Sequence, residues 1–169
     1  MAIRVVPLET VHEVNEFDCG NDDLNVFLRA TAGQHQRKFI SKSYVLIDDE
    51  APTTVMGFYT LAVRRMVSKD DLPPEMAKRL PREVPGFSLA RLAVQDAIKG
   101  QGHGEYLLAH ALDRAARVAG EIGGYALFVD AKDQAAAAFY KKYGFISFPD
   151  DPLILCMPFA NMPQNRDKG

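Results

Sequence analysis

Between Ile98 and Leu108 the chain reads IKGQGHGEYLL, with Gly100, Gly102 and Gly104 at every second position and an apolar helical pattern directly behind them. Glycine lacks Cβ, so such a backbone takes positive φ and lets a ligand approach closely. The first turn of a helix leaves amide N–H groups unsatisfied and carries roughly half a positive charge. Together they make a phosphate cradle built from backbone. The patterns GxGxxG and GxxxxGK[ST] are both absent, which argues against the two familiar nucleotide-binding loops. What is present is a shorter turn, Lys99-Gly100-Gln101-Gly102-His103-Gly104-Glu105, after a strand that ends Leu92-Ala93-Val94. A merely flexible loop has no need of three alternating glycines at a strand-to-helix junction.

The elements that must hold this loop follow from periodicity. Arg4 to Pro7 reads as a short strand. Asn21 is a candidate N-cap for a helix running toward Phe39, with Leu24, Phe27 and Leu28 at the 3 and 4 spacing of one apolar face. Tyr44 to Ile47 and Val55 to Val63 read as strands of a hairpin across the acidic turn Asp48 to Pro52. The proline-dotted stretch from Leu72 to Pro85 predicts a loop with at most one short helix. Phe87 to Val94 is a strand, and Leu108, Ala111, Leu112, Ala115 and Ala119 form a helical stripe after the glycines. Tyr125 to Val129 is a continuous apolar run, as expected of a strand covered on both faces. Asp133 caps a further helix that Gly144 ends, and Phe145 to Phe148 with Leu153 to Met157 close the chain as strands. The expected fold is α/β, a mixed central sheet with helices on both faces.

With 169 residues and 47% hydrophobic content, the chain is one domain's worth. We expect a single domain over residues 1–160 and a polar tail over 161–169. No apolar run approaches a membrane span, and the N-terminal residues lack the apolar core of a secretory signal, so a cytoplasmic protein without membrane contact is expected. Cys19 and Cys156 sit in no metal-ligand spacing and are expected to be reduced, and with four scattered histidines no metal site is expected. The net charge of −2 conceals an asymmetry: residues 29–42 and 64–82 hold ten Lys or Arg against three acids, +7, which leaves −9 for the remainder. That segregation is either a solvated face or the footprint of a polyanionic partner.

At this point the chain resembles the GNAT superfamily of acetyl-CoA-dependent N-acetyltransferases. The family's pyrophosphate pattern, Arg or Gln, two residues, Gly, one residue, then Gly or Ala, falls on Lys99, Gly102 and Gly104; Lys99 departs from the usual first residue. A second signature, a polar cap followed by an aromatic pair and Gly-Phe, appears as Asp133, Phe139-Tyr140 and Gly144-Phe145. The resemblance implies the GNAT fold and acetyl-CoA as co-substrate. Leu92, Ala93 and Val94 would pair with the pantetheine arm, residues 99–105 would hold the pyrophosphate, and Asp133 and Phe139 would lie along the coenzyme. Tyr140 falls where the family places the residue that reaches the coenzyme sulfur, as the general acid; its alternative is an ordinary packed aromatic, which is the favoured reading of Tyr143. The oxyanion donor would be a backbone amide of Ala93 or Val94.

A narrower likeness lies in Phe17-Asp18-Cys19-Gly20-Asn21, Leu24-Asn25, Phe27-Leu28, Gly57-Phe58-Tyr59-Thr60-Leu61 and Asp130-Ala131-Lys132-Asp133. These are similar to the GNAT toxins of bacterial toxin–antitoxin pairs. That resemblance implies acetylation of the amino group of aminoacyl-tRNA, a block of translation, a ribbon-helix-helix antitoxin and a homodimer. Arg37, Lys38, Arg64, Arg65, Lys78, Arg79 and Arg91 are then candidate tRNA contacts. Two other readings stand beside it: a GNAT enzyme acting on a small-molecule amine or a protein N-terminus, and a non-catalytic acetyl-CoA-binding module.

Overall fold

The computed structural model describes residues 2–162. Seven strands form one mixed sheet in the order β1-β2-β3-β4-β5-β7-β6. They are β1 (Ile3–Pro7), β2 (Lys42–Asp48), β3 (Gly57–Ser68), β4 (Glu83–Val94), β5 (Ala126–Asp130), β6 (Ile146–Ser147) and β7 (Ile154–Pro158). The pairs β1·β2, β2·β3, β5·β7 and β6·β7 are antiparallel, and β4·β5 is parallel. The expected mixed sheet is therefore present, and so are all the expected strands. The chain divides into two compact units, residues 1–62 with 89–114 and residues 63–88 with 115–169. Of the expected polar tail, residues 163–169 lie outside the described residues.

The first unit is built on the β1–β2–β3 meander. Phe58 is fully buried, meets Phe17 edge-on at 5.6 Å and stacks on Phe27 at 6.3 Å. The helix expected from Asn21 to Phe39 is divided into α1 (Asp22–Val26), a π-helical turn (Phe27–Thr31) and α2 (Ala32–Arg37). Thr31 and Gly33 are weak helix formers, which eases the break, and the wider turn keeps Phe27, Leu28 and Ala32 all in the core. Asn21 caps α1 as expected, its Oδ1 accepting from Leu24 N–H at 3.2 Å.

The end of α2 is unusual. Ile40 N–H donates to His35 carbonyl at 2.9 Å and Phe39 N–H to Gln36 carbonyl at 3.2 Å, the paired bonds of a Schellman stop. The residue just past the cap must then be left-handed, and Phe39 has φ +59° where glycine is usual. That conformation costs roughly 1–2 kcal/mol for a residue with a Cβ.

In the second unit β5 is buried along Ala126–Val129, as its apolar run required, and Phe128 meets Phe148 edge-on at 6.0 Å. Gly86 is obligatory: a Cβ there would stand 2.4 Å from the Phe128 ring and 2.7 Å from Ala126 carbonyl. The expected loop from Leu72 to Pro85 holds the one short helix allowed for it, α3 (Pro74–Ala77). Strand β4 runs back into it as far as Glu83, and β3 extends past its expected end at Val63 to Ser68, short of the loop. Helix α4 (His103–Ile122) starts in the first unit and ends in the second, and α5 (Gln134–Lys142) lies wholly in the second.

Candidate active site

In the first unit Gly100 and Gly102 adopt φ of +80° and +85°, and among the described residues no atom beyond their chain neighbours lies within 4 Å of where a Cβ would stand on either. The loop thus presents bare, left-handed backbone to open space as α4 begins at His103, which suits a bulky anion. His103 is buried, and its Nε2 has no hydrogen-bond partner among the described residues. Gln101 and Glu105 are exposed and Gly104 sits in the first turn of α4.

The loop is braced from behind by the Phe17–Asn21 block. Asp96 N–H donates to Asp18 carbonyl at 2.8 Å and Asp18 N–H to Gln95 Oε1 at 3.0 Å. Lys99 Nζ donates to Cys19 carbonyl at 2.6 Å and lies 3.1 Å from Asp96. Buried Asn25 accepts from Cys19 N–H at 2.9 Å and donates to Asp18 Oδ1 at 3.0 Å. The Gly20 amide bonded to the same oxygen, with Asn25, holds the Asp18 carboxyl below its ordinary range. The ammonium of Lys99 is therefore a strut under the loop.

The strand leading to the loop is set by a close approach. A Cβ on Gly57 would stand 2.9 Å from Ala93 carbonyl, and Gln95 N–H donates to Met56 carbonyl at 2.8 Å. Ala93 and Gln95 thus turn their backbone groups toward β3, and alternation turns those of Leu92 and Val94 the other way.

In the second unit Asp133 Oδ1 accepts from Ala136 N–H at 2.8 Å and starts α5, and Gly144 at φ +95° ends it. Between them Tyr140 is 7% exposed, with Phe139 and Phe145 edge-on at 5.2 and 5.4 Å. No described residue hydrogen-bonds its hydroxyl, and burial pushes its pKa up to about 12. Tyr143 packs edge-on against Phe139 at 5.2 Å beneath Lys142.

The basic residues fall into two kinds. Arg37, Lys38 and Arg91 in the first unit and Arg65, Lys78 and Arg79 in the second are exposed. None forms an ion pair with a described residue; Arg91 lies 4.5 Å over the Phe27 ring. Arg64 differs. Its side chain is 17% exposed and forms a fork with Asp130 at 3.0 Å, reaches Ser88 Oγ at 3.1 Å and covers the Phe128 ring at 5.2 Å.

Sequence reasoning missed a cluster behind α4. Tyr59 hydroxyl lies 2.6 Å from His110 Nδ1, stacks on Tyr44 at 5.0 Å, and Arg114 covers Tyr44 at 5.5 Å. Burial raises the Tyr59 pKa strongly, so the phenol stays protonated and ties α4 to β3. The only signal for it was the Gly57–Leu61 block, whose partner lies 51 residues on.

Residues 41–147 match the acetyltransferase (GNAT) domain family. The chain is 34% identical over 145 residues to a tRNA-acetylating toxin of Mycobacterium tuberculosis (strain ATCC 25618 / H37Rv), covering 86% of this chain and 85% of that one. Among solved structures it superposes on AtaT complexed with acetyl-methionyl-tRNAfMet with a TM-score of 0.87 at 29% identity, covering 94% of this chain and 96% of that one. It also superposes on a tyrosine-to-phenylalanine variant of AtaT bound to the C-terminus of the antitoxin AtaR and acetyl-CoA, with a TM-score of 0.78 at 28% identity and 94% of both chains covered. A bare glycine cradle at the head of a helix, a capped helix carrying a buried tyrosine with an unpartnered hydroxyl, and these matches agree: the chain belongs to the GNAT acetyltransferase family.

Proposed function

We propose that this protein is a toxin that transfers the acetyl group of acetyl-CoA to the free amino group of an aminoacyl-tRNA and so blocks translation, and that a cognate antitoxin neutralises it. The observation that carries the choice of acceptor is the set of exposed, unpaired cations, Arg37, Lys38, Arg65, Lys78, Arg79 and Arg91, in a chain of net charge −2. Such cations suit phosphate contacts. A small ammonium substrate would only be repelled by them. The toxin relative and the tRNA and antitoxin complexes of AtaT support the same reading. A homodimer, an antitoxin of the ribbon-helix-helix class and a cytoplasmic location belong to it as well; no helix among the described residues is long and apolar enough to cross a membrane.

Acetyl-CoA supplies an activated acyl group: the acceptor nitrogen forms a C–N bond as the C–S bond breaks, and the departing sulfur needs a proton. The glycine loop holds the pyrophosphate, and Val94 N–H, turned away from β3, is the donor to the developing oxyanion. An α-amine has a pKa near 7.7 to 8.0, so an appreciable fraction is neutral without a strong base. Tyr140 delivers the proton. Against a Cys-like thiol at about 8.5, a phenol at about 12 donates uphill by roughly 5 kcal/mol. Burial narrows that gap when it acts on the acceptor too, because it disfavours the thiolate as it disfavours the phenolate. A thiolate in surroundings as dry as Tyr140's takes the proton at little cost.

The test is incubation of the protein with acetyl-CoA and a full set of charged tRNAs, with mass identification of acetylated aminoacyl esters. One or more acetylated esters is the expected result. Turnover of free amines or peptide N-termini with every charged tRNA untouched would overturn the reading.

A further inference from the structure

Phe39 is 95% exposed and held in the left-handed region at φ +59°. Among the described residues nothing repays either condition, because a ring so exposed packs on almost nothing. The turn that carries it is nonetheless fixed. The Schellman bonds of Phe39 and Ile40 fix the turn from one side, and Gln36 fixes it from the other, donating to Leu8 carbonyl at 2.9 Å and accepting from Ser43 N–H at 3.1 Å. At neighbouring positions in the chain are Arg37, Lys38 and Lys42, all exposed and none ion-paired with a described residue, and Ile40 at 55% exposure. An exposed aromatic ring carried on a fixed turn, with unpaired cations at neighbouring positions, fits one partner chemistry well: an unstacked base of a single-stranded nucleic acid whose phosphates meet the cations.

We propose that Phe39 is a stacking platform for an unpaired nucleotide of the RNA acceptor, flanked by phosphate contacts from Arg37, Lys38 and Lys42. The proposal rests on the reading that the acceptor is a tRNA, and adds where a base of it is gripped. An aromatic face accepts any base, so the contact supplies affinity for single-stranded RNA without reading sequence. The left-handed backbone turns the ring outward on a turn that glycine would fill with less strain, and strain of this kind persists where it serves a contact.

The chain contains no tryptophan, so Phe39→Trp in the full chain places a single tryptophan, excited selectively beyond the six tyrosines, at the ring position. Titration with uncharged tRNA and with a short single-stranded oligoribonucleotide, at constant ionic strength, should quench its emission in a saturable way. Heparin, a polyanion without bases, should compete for the cations without quenching. Phe39→Ala should weaken RNA binding by roughly 5- to 100-fold, the range of one lost base stack. Phe39→Gly relieves the backbone and should unfold at the wild-type temperature or above while binding RNA as weakly as Phe39→Ala, which separates a binding role from a folding one. Emission indifferent to RNA, wild-type RNA affinity of Phe39→Gly, or a spectral shift that follows protein concentration without RNA would each overturn the proposal, the last by assigning the ring to a second copy of the chain. If wild type acetylates charged tRNA and the tryptophan stays unquenched, only the stacking site falls. If RNA quenches and no charged tRNA is acetylated, the stacking site stands and the acetylation reading falls.

Discussion

Replacing Lys99 with Met removes the strut beneath the glycine loop without altering the loop's own residues. The 2.6 Å bond from Nζ to Cys19 carbonyl is charge-assisted, a kind worth about 1.5–3 kcal/mol when sheltered. The side chain is 51% exposed, which brings it to about 1 kcal/mol by the same scale. The pair with Asp96, 62% exposed, adds about 0.5 kcal/mol or less. A total near 1.5 kcal/mol caps the effect at about tenfold in affinity, and only the part that orders the loop reaches the coenzyme. Calorimetric titration with acetyl-CoA should therefore show Kd raised about 3- to 10-fold, and Tm should fall by roughly 3–6 °C. Loss of one positive charge would by itself weaken an anionic ligand, so two controls separate the causes. The effect should persist at high salt, where exposed charges are screened. Asn25→Ala, which changes no charge but leaves Cys19 N–H unbonded, should raise Kd as well. Lys99→Arg should bind as wild type. If Lys99→Met and Asn25→Ala lower Tm and leave Kd within twofold of wild type, the Phe17–Asn21 block is a fold element and not a brace for the coenzyme loop.

The remaining expectations concern the loop, the acid, the pH profile and the fork. Gly102→Val, strained at φ +85°, should weaken acetyl-CoA binding at least about tenfold, ~1.4 kcal/mol; unchanged affinity in a folded variant would refute the cradle. Tyr140→Phe should retain fold and coenzyme affinity and lose about 10²- to 10⁴-fold in turnover; near-wild-type turnover at saturating substrates would make Tyr140 a packing residue. Burial raises the Tyr140 pKa, so its proton-bearing form persists as pH rises. kcat/KM should climb through the amine's pKa near 8 and stay level to about pH 10, and a descending limb centred below pH 9 would place the donor elsewhere. Arg64→Glu breaks the fork with Asp130, the Ser88 bond and the contact over Phe128, together about 2–3 kcal/mol. Tm should fall by roughly 5–10 °C, with a smaller change in the salt slope of tRNA binding than Arg65→Glu produces. Equal slopes for the two would return Arg64 to the phosphate contacts.

The parts of the site legible in the sequence are those where backbone geometry dictates residue type. Gly100, Gly102 and Gly144 are glycines because their φ is positive, and Asn21 and Asp133 are polar because a helix start needs an acceptor. Such demands are local, so spacing exposes them. What stayed hidden is held by partners far along the chain. Arg64 and Arg65 are adjacent and identical in composition; the first is withdrawn from solvent by Asp130, 66 residues on, and the second is not. The same distance effect concealed the extension of β3 to Ser68, since two arginines interrupt its apolar pattern while one of them lies over the Phe128 ring. Lys99 is the sharpest case. Read locally, a lysine where the family has Arg or Gln is an imperfect match to a phosphate-binding motif. In the fold its ammonium meets a carbonyl 80 residues away, and a compact point charge on a flexible stem can satisfy one carbonyl and one carboxylate at once. The side chain therefore lies on the scaffold side of the loop, and coenzyme contacts would fall to the backbone amides, on which position 99 acts only by ordering the loop.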